Sequence, residues 1–149
     1  MTEVWFYHLE SRTLDEVLPN LLERTLARGW RAVVRAGSAE RVAALDTFLW
    51  SYRDTSFLPH GTLADGNAPD QPILLTTEAI RPNGADVLFL VDGAGADSFD
   101  GYVRCVDLFD GRDADALAMA RQRWKAVKAM GHELAYWQQT PEGQWERKA

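Results

Sequence analysis

Glu3-Val4-Trp5-Phe6-Tyr7-His8-Leu9, followed by Thr13-Leu14-Asp15-Glu16, decides the fold class of this chain. The first run is aromatic, β-branched and almost continuously apolar, which suits a strand buried on both faces, as in a parallel sheet. Thr13 then begins a helix, and Glu16 three residues on completes a capping box. Leu14, Val17, Leu18, Leu21, Leu22 and Leu26 supply a buried stripe at helical spacing, and Gly29 ends it. Pro19 lies past the first turn, where it removes a hydrogen bond and is expected to kink the helix. Residues 30–36 read as a second strand. After Gly37 and an N-cap at Ser38, a second helix runs to about Trp50, with Val42, Leu45, Phe48 and Leu49 inward. Strand, helix, strand, helix points to an α/β layered architecture.

The rhythm breaks over 52–71, where Pro, Gly, Asn and Asp are frequent, and this reads as one long loop with dockable apolar residues. Short apolar strands follow at 72–77 and 85–91, separated by the turn residues Arg81-Pro82-Asn83-Gly84. Residues 102–109 form another strand, a helix runs from about Asp113 to Met130, and 133–138 adds a last strand. Residues 141–149 read as a polar tail with a turn at Pro141-Glu142-Gly143. The expectation is one domain over 1–149 with a three-layer arrangement: a mostly parallel central sheet and helices on both faces.

Length and composition agree with this. The chain has 149 residues, enough to bury one proper core, and 46% hydrophobic against 26% charged content is ordinary for a globular protein. No apolar run approaches the roughly 18 residues of a membrane span, and the N-terminus lacks a basic-then-apolar leader, so a cytoplasmic protein is expected. Cys105 is the single cysteine, which excludes an internal disulfide or a cysteine-based zinc cluster, and its apolar surroundings mark it as core. The net charge of −6 argues against strong direct binding of nucleic acid. That charge is uneven: residues 1–111 carry 9 Lys+Arg against 17 Asp+Glu, whereas 112–149 carry 7 against 5 and hold all three lysines. An acidic body with one basic region suits a local contact with a charged protein segment.

The basic region centres on Ala120-Arg121-Gln122-Arg123-Trp124-Lys125-Ala126-Val127-Lys128-Ala129-Met130-Gly131. With helical phase, Arg121, Trp124, Lys125 and Lys128 share about a 100° arc, while Ala116, Met119, Ala120, Val127 and Met130 occupy the opposite, inward side. Arg123 points about 160° from the cationic face and is expected to pair with a buried or rim carboxylate. Trp124 among cations fits either cation–π support of the helix or a site for an acidic, aromatic-ended partner. Trp50, Phe57, Leu58, Pro59 and His60 form either an aromatic docking patch or a satellite core beneath the loop.

Catalytic patterns are weak. The Gly93-Ala94-Gly95 turn lacks the Lys-Ser/Thr of a phosphate-binding loop and the third glycine of a dinucleotide fingerprint. His8, His60 and His132 are scattered without metal-ligand spacing, and no metal or cofactor is expected. His8 ends a buried strand and reads as a hydrogen-bonded structural residue. Asp92, Asp97, Asp100, Asp107 and Asp110 lie at strand ends without an acid–base spacing.

Three pieces together resemble the chi subunit family of bacterial DNA polymerase III, a clamp-loader accessory protein. They are Val4-Trp5-Phe6-Tyr7, Leu49-Trp50 with Ser56-Phe57-Leu58-Pro59-His60, and Arg121-Gln122-Arg123-Trp124-Lys125-Ala126 with Gly131. The resemblance implies a fold like that of nucleotide-binding domains but without a nucleotide site, and no intrinsic catalysis. It implies binding of the acidic, Phe-terminated C-terminal tail of single-stranded-DNA-binding protein at Arg121, Trp124 and Lys125, with Lys128 on the same arc. It also implies a contact with the psi subunit, or another clamp-loader subunit, through Trp50, Phe57, Leu58, Pro59 and His60. The competing reading is a small α/β enzyme using the strand-end carboxylates and His60 near the Gly93-Ala94-Gly95 turn.

Overall fold

The computed structural model describes residues 2–51 and 58–149. Along the chain run β1 (Glu3–Leu9), α1 (Leu14–Ala27), β2 (Ala32–Arg35), α2 (Ala39–Ser51), β3 (Gly61–Thr62), β4 (Ile73–Thr76), β5 (Val87–Leu90), β6 (Arg104–Asp110), α3 (Ala114–Ala129), β7 (Glu133–Gln139) and β8 (Trp145–Arg147). The strands form one sheet in the order β3-β4-β2-β5-β6-β1-β7-β8. All pairings are parallel except the closing β7–β8 hairpin. The expected mostly parallel α/β sheet is present.

Strand alternation sorts the core into two layers. Tyr7, Leu9, Val34, Ile73, Leu75, Phe89 and Leu108 face α1 and α2. Val4, Phe6, Val33, Leu74, Leu88 and Cys105 face the other way, toward α3. Helices therefore cover both faces, as expected. Burial from both sides explains the absence of polar alternation in β1 and β2.

Local signals act where the sequence places them. The Thr13 hydroxyl accepts from the Glu16 backbone N–H at 3.3 Å, and Glu16 Oε1 accepts from the Thr13 N–H at 3.1 Å, closing the capping box. The Thr13 backbone N–H and the Thr13 hydroxyl hold the exposed Glu16 carboxyl below its ordinary pKa. Ser38 caps α2 by accepting from the Arg41 N–H at 3.2 Å. The helix α1 runs through Pro19 as one element, with that ring buried. The turn before β5 is stitched to β2 by buried Asn83, whose Nδ2 donates to Ala32 O at 3.1 Å and Gln71 O at 2.9 Å.

Two expectations change. Within the stretch read as one long loop over 52–71, the described residues 58–71 are not structureless: they contain β3, a two-residue edge strand, and short 3₁₀ turns at Leu63–Asp65 and Ala68–Asp70. Likewise 141–149 is more than a polar tail, because β8 pairs with β7 and Trp145 packs 4.6 Å from the Tyr7 ring. Both strands are too short to show a period in sequence.

The turn between β2 and α2 passes close to the end of β5. A Cβ placed at Gly37 would collide with the backbone carbonyl oxygen of Asp92. Gly37→Ala is therefore expected to cost about 1–3 kcal/mol, because backbone rather than a flexible side chain must give way. Urea unfolding measures this; an unchanged midpoint would refute the close approach.

Candidate functional site

The helix α3 connects β6 to β7 and crosses the intervening β1, so its inner face meets residues from all three strands. Asp113 caps it, accepting from the N–H groups of Asp115 at 2.9 Å and Ala116 at 3.2 Å. Ala120 and Val127 are buried, and Leu117 and Trp124 are partly buried beside them.

This placement corrects the expected orientation of Trp124. Its indole packs edge-on against Phe6 of β1, with centroids 5.3 Å apart, and against Tyr136 of β7 at 5.7 Å. Leu117, Ala120, Trp124 and Val127 form the inner stripe, so the stripe is rotated toward Trp124 and away from Met119 and Met130, which are exposed. A small Ala at 120 brings the helix close to the sheet and lets the indole reach sideways over β1. Trp124 is consequently half in the core and half at the surface, with its position fixed by two aromatic neighbours.

Arg123 takes the structural role expected from its phase. Its guanidinium forks onto Asp107 of β6, Nε to Oδ2 at 2.6 Å and Nη2 to Oδ1 at 2.9 Å. Asp107 is only 2% exposed. Burial pushes its carboxyl pKa up, and the Arg123 hydrogen bonds and charge pull it back without cancelling the shift.

Arg121, Lys125 and Lys128 are exposed on the outer flank of the same helix. Among the described residues, none of the three pairs with a carboxylate. Next to them lies Tyr136, whose hydroxyl is 2.6 Å from His8 Nδ1. Burial raises the Tyr136 phenol pKa and the Arg121 charge opposes that rise, so this cation borders the aromatic cluster. His8 Nε2 in turn lies 2.8 Å from Glu10 Oε1, in keeping with its expected structural role. Phe6, Tyr136 and His8 are the support that sequence reasoning did not attach to Trp124. Alternation in β1 and β7 was the available signal, but only the parallel register of Phe6 with Tyr136 joins them.

The second candidate patch divides differently. Trp50 is 52% exposed and its ring lies 4.2 Å from that of His60. Leu58 and His60 are buried, at 2% and 4% exposure, so they do not offer surface to a partner, and Pro59 is half-buried. His60 Nδ1 meets Leu58 O at 2.7 Å and Nε2 meets Asp46 O at 3.1 Å, which pins the segment to α2. These residues hold Trp50 from behind. Phe57 lies outside the described residues.

The structure does not bring His60 to the Gly93-Ala94-Gly95 turn. His60 precedes β3 and that turn follows β5, and in a parallel sheet those are opposite ends. At the carboxyl ends of β1, β5 and β6, where doubly wound sheets bind phosphates, a crevice is lined by Asp92, Asp110, Asp113 and Asp115 together with Arg12, Arg112 and Arg123. Each of those arginines is paired with a carboxylate (Glu16, Asp110 and Asp107), and the Asp113 side chain already occupies the first free N–H groups of α3, where a phosphate would sit. Among the described residues, no cluster of His, Cys, Asp or Glu is arranged to hold a metal ion, and no helix is long and apolar enough to cross a membrane. Full burial pushes the Cys105 thiol pKa well up, so it is an unreactive core residue.

Comparison with known proteins places this architecture. The family model described as DNA polymerase III chi subunit, HolC, matches residues 1–135. A protein named probable DNA polymerase III subunit chi, from Rickettsia prowazekii (strain Madrid E), is 28% identical over 91 residues. That match covers 61% of this chain and 55% of the relative, so the chain spans about half the length of the curated relative it matches. With the family model matching residues 1–135, from β1 into the start of β7, the chain belongs to the DNA polymerase III chi subunit family.

Proposed function

We propose that this chain is a non-catalytic replication adaptor that binds the acidic C-terminal tail of single-stranded-DNA-binding protein and links it to the clamp loader. The observation that carries this reading is the α3 flank: Arg121, Lys125 and Lys128 without carboxylate partners among the described residues, beside an indole locked by Phe6 and Tyr136. An acidic peptide ending in Phe needs cations for its carboxylates and an apolar wall for its ring. Arg121 has the planar fork for the terminal carboxylate, and Lys125 and Lys128 supply mobile point charges for the acidic side chains. Residues 1–111 carry 17 Asp+Glu against 9 Lys+Arg, so the charge balance favours an anionic peptide on the basic C-terminal segment that holds this flank. The exposed Trp50, with its ring against buried His60, is the proposed contact for psi or another clamp-loader subunit, and Phe57, Leu58 and Pro59 of the same sequence segment belong to that proposal.

Titration of the chain with a labelled acidic peptide ending in Phe, read by anisotropy, tests the first contact. We expect roughly micromolar affinity, since few residues carry the interaction. Raising salt from low to physiological strength should weaken binding several-fold, because the cations are exposed and screened. Lys125→Glu should weaken it more than tenfold. Binding that ignores salt, or that survives deletion of the terminal Phe unchanged, would defeat the assignment.

A further inference from the structure

The α3 face of the sheet is only partly covered by α3. Over β2, β4 and β5 the cover comes instead from the connections around residues 77–85 and 92–103, with Phe99 and Tyr102 packed inward. Between these connections lies a cleft of about 350 Å³, which runs over the face of the sheet from the carboxyl end of β2, at Arg35, to the residues that lead into β6, at Tyr102. Its lining includes Arg35, Thr77, Arg81 and Tyr102, with Asp97 and Asp100 exposed toward solvent.

Arg35 ends β2 and is only 7% exposed. Its Nη1 donates to Gly95 O at 3.0 Å, but its Nε has no hydrogen-bond partner among the described residues. Nor does any carboxylate pair with it there. Tyr102, also buried, has a hydroxyl with no partner among the described residues. Burial raises the phenol pKa, with Arg35 and Arg81 opposing, so at neutral pH the hydroxyl keeps its proton and is a donor.

Arg81 completes the set. Its Nε donates to Ala85 O at 2.6 Å, and its guanidinium carbon lies 5.5 Å from the Tyr102 ring centroid. Gly101, at φ +90°, permits this approach, since a Cβ there would come within 2.8 Å of Arg81 Nη1.

A buried guanidinium without a counter-ion is costly, and an apolar side chain of similar volume would fill the end of β2 at lower cost. The same guanidinium becomes favourable once an oxyanion enters, because the Arg35 Nε, the Arg81 guanidinium, the Tyr102 hydroxyl and the Thr77 hydroxyl are all donors. The volume lies at the small end of the range for small-molecule sites. Asp97 and Asp100 at the rim would repel a polyanion such as nucleic acid but accept from donor groups of a compact ligand. We propose that this cleft binds a small molecule presenting one oxyanion, a phosphate monoester or a carboxylate, next to hydrogen-bond donors. The site is distinct from the cationic flank of α3.

The test follows backbone amide shifts of the intact chain during titration with inorganic phosphate and, separately, acetate, at constant ionic strength set with chloride. We expect saturable, roughly millimolar binding with shifts concentrated at Gly95, Gly101 and Tyr102. Saturation by phosphate alone assigns a phosphate ester, and saturation by acetate alone assigns a carboxylate; either supports an oxyanion site. Arg81→Ala should weaken binding at least tenfold and Tyr102→Phe several-fold, with tail-peptide affinity unchanged in both. Arg35→Lys is the direct variant, and the two others remain informative if it does not fold. No saturation by either anion, or equal affinity in the wild type, Arg81→Ala and Tyr102→Phe, would overturn the proposal.

Discussion

Arg123→Ala is expected to destabilise the protein by about 3–5 kcal/mol near neutral pH, the cost of leaving a buried carboxylate without its partner. Asp107 is 2% exposed and its fork to Arg123 is its compensation. A surface pair would be worth far less, and exposure of that order is what separates the two cases. The pH dependence identifies the mechanism. Burial already raises the folded-state pKa of Asp107 above its unfolded value, so the folded state binds the proton more tightly. For a raised carboxyl, stability falls as pH rises from the unfolded to the folded pKa, and the penalty disappears below both. Removing Arg123 removes what pulls that pKa back, which raises it further and widens this window. The deficit of Arg123→Ala should thus be largest at neutral pH and shrink on acidification. Urea unfolding at several pH values measures it. The paired change Arg123→Met with Asp107→Leu should recover most of the loss, since apolar residues of similar volume need no counter-ion. A deficit below about 1 kcal/mol, or one independent of pH, would show that the fork is not the compensation.

Arg121 and Trp124 should separate binding from folding. Arg121→Ala removes an exposed cation without a carboxylate partner among the described residues, so stability should stay within about 0.5 kcal/mol of the wild type. Affinity for the acidic peptide should nonetheless fall more than tenfold, about 1.4 kcal/mol or more, because the bidentate contact to the terminal carboxylate is lost. Trp124→Ala should lose both properties. Its indole fills the space between Phe6 and Tyr136, and truncation should cost about 2–4 kcal/mol, below the value for a fully buried Trp. Trp124→Phe should keep most of the stability while narrowing the apolar wall. Thermal unfolding and anisotropy on the same preparations distinguish these outcomes. Wild-type affinity in Arg121→Ala would remove the proposed contact from this flank.

Much of the fold was legible because its signals are local. The buried character of β1, the Thr13–Glu16 capping box, the Ser38 cap and the acid-first, cation-last order of α3 each depend on residues within one or two turns. The division between Arg121 and Arg123 was legible for the same reason: two residues apart on a helix is a large rotation, whatever the helix packs against. Edge strands β3 and β8 were not, since two or three residues carry no period and become strands only when a neighbour supplies the hydrogen bonds.

The candidate site shows the same boundary. The sequence by itself determined a mostly parallel α/β sheet, a basic helix near the C-terminus of an acidic chain, and which of its cations face outward. Only the tertiary structure decided that Trp124 is half core, because the depth of a side chain depends on how closely the helix approaches the sheet and on what Phe6 and Tyr136 place beneath it. It likewise decided that Leu58 and His60 brace Trp50 from within, and that Arg35 ends buried beside Tyr102 without a carboxylate partner among the described residues. Helical phase and strand alternation give direction. Depth, partners and uncompensated charge arise from contacts between segments distant in sequence, and no local pattern encodes those.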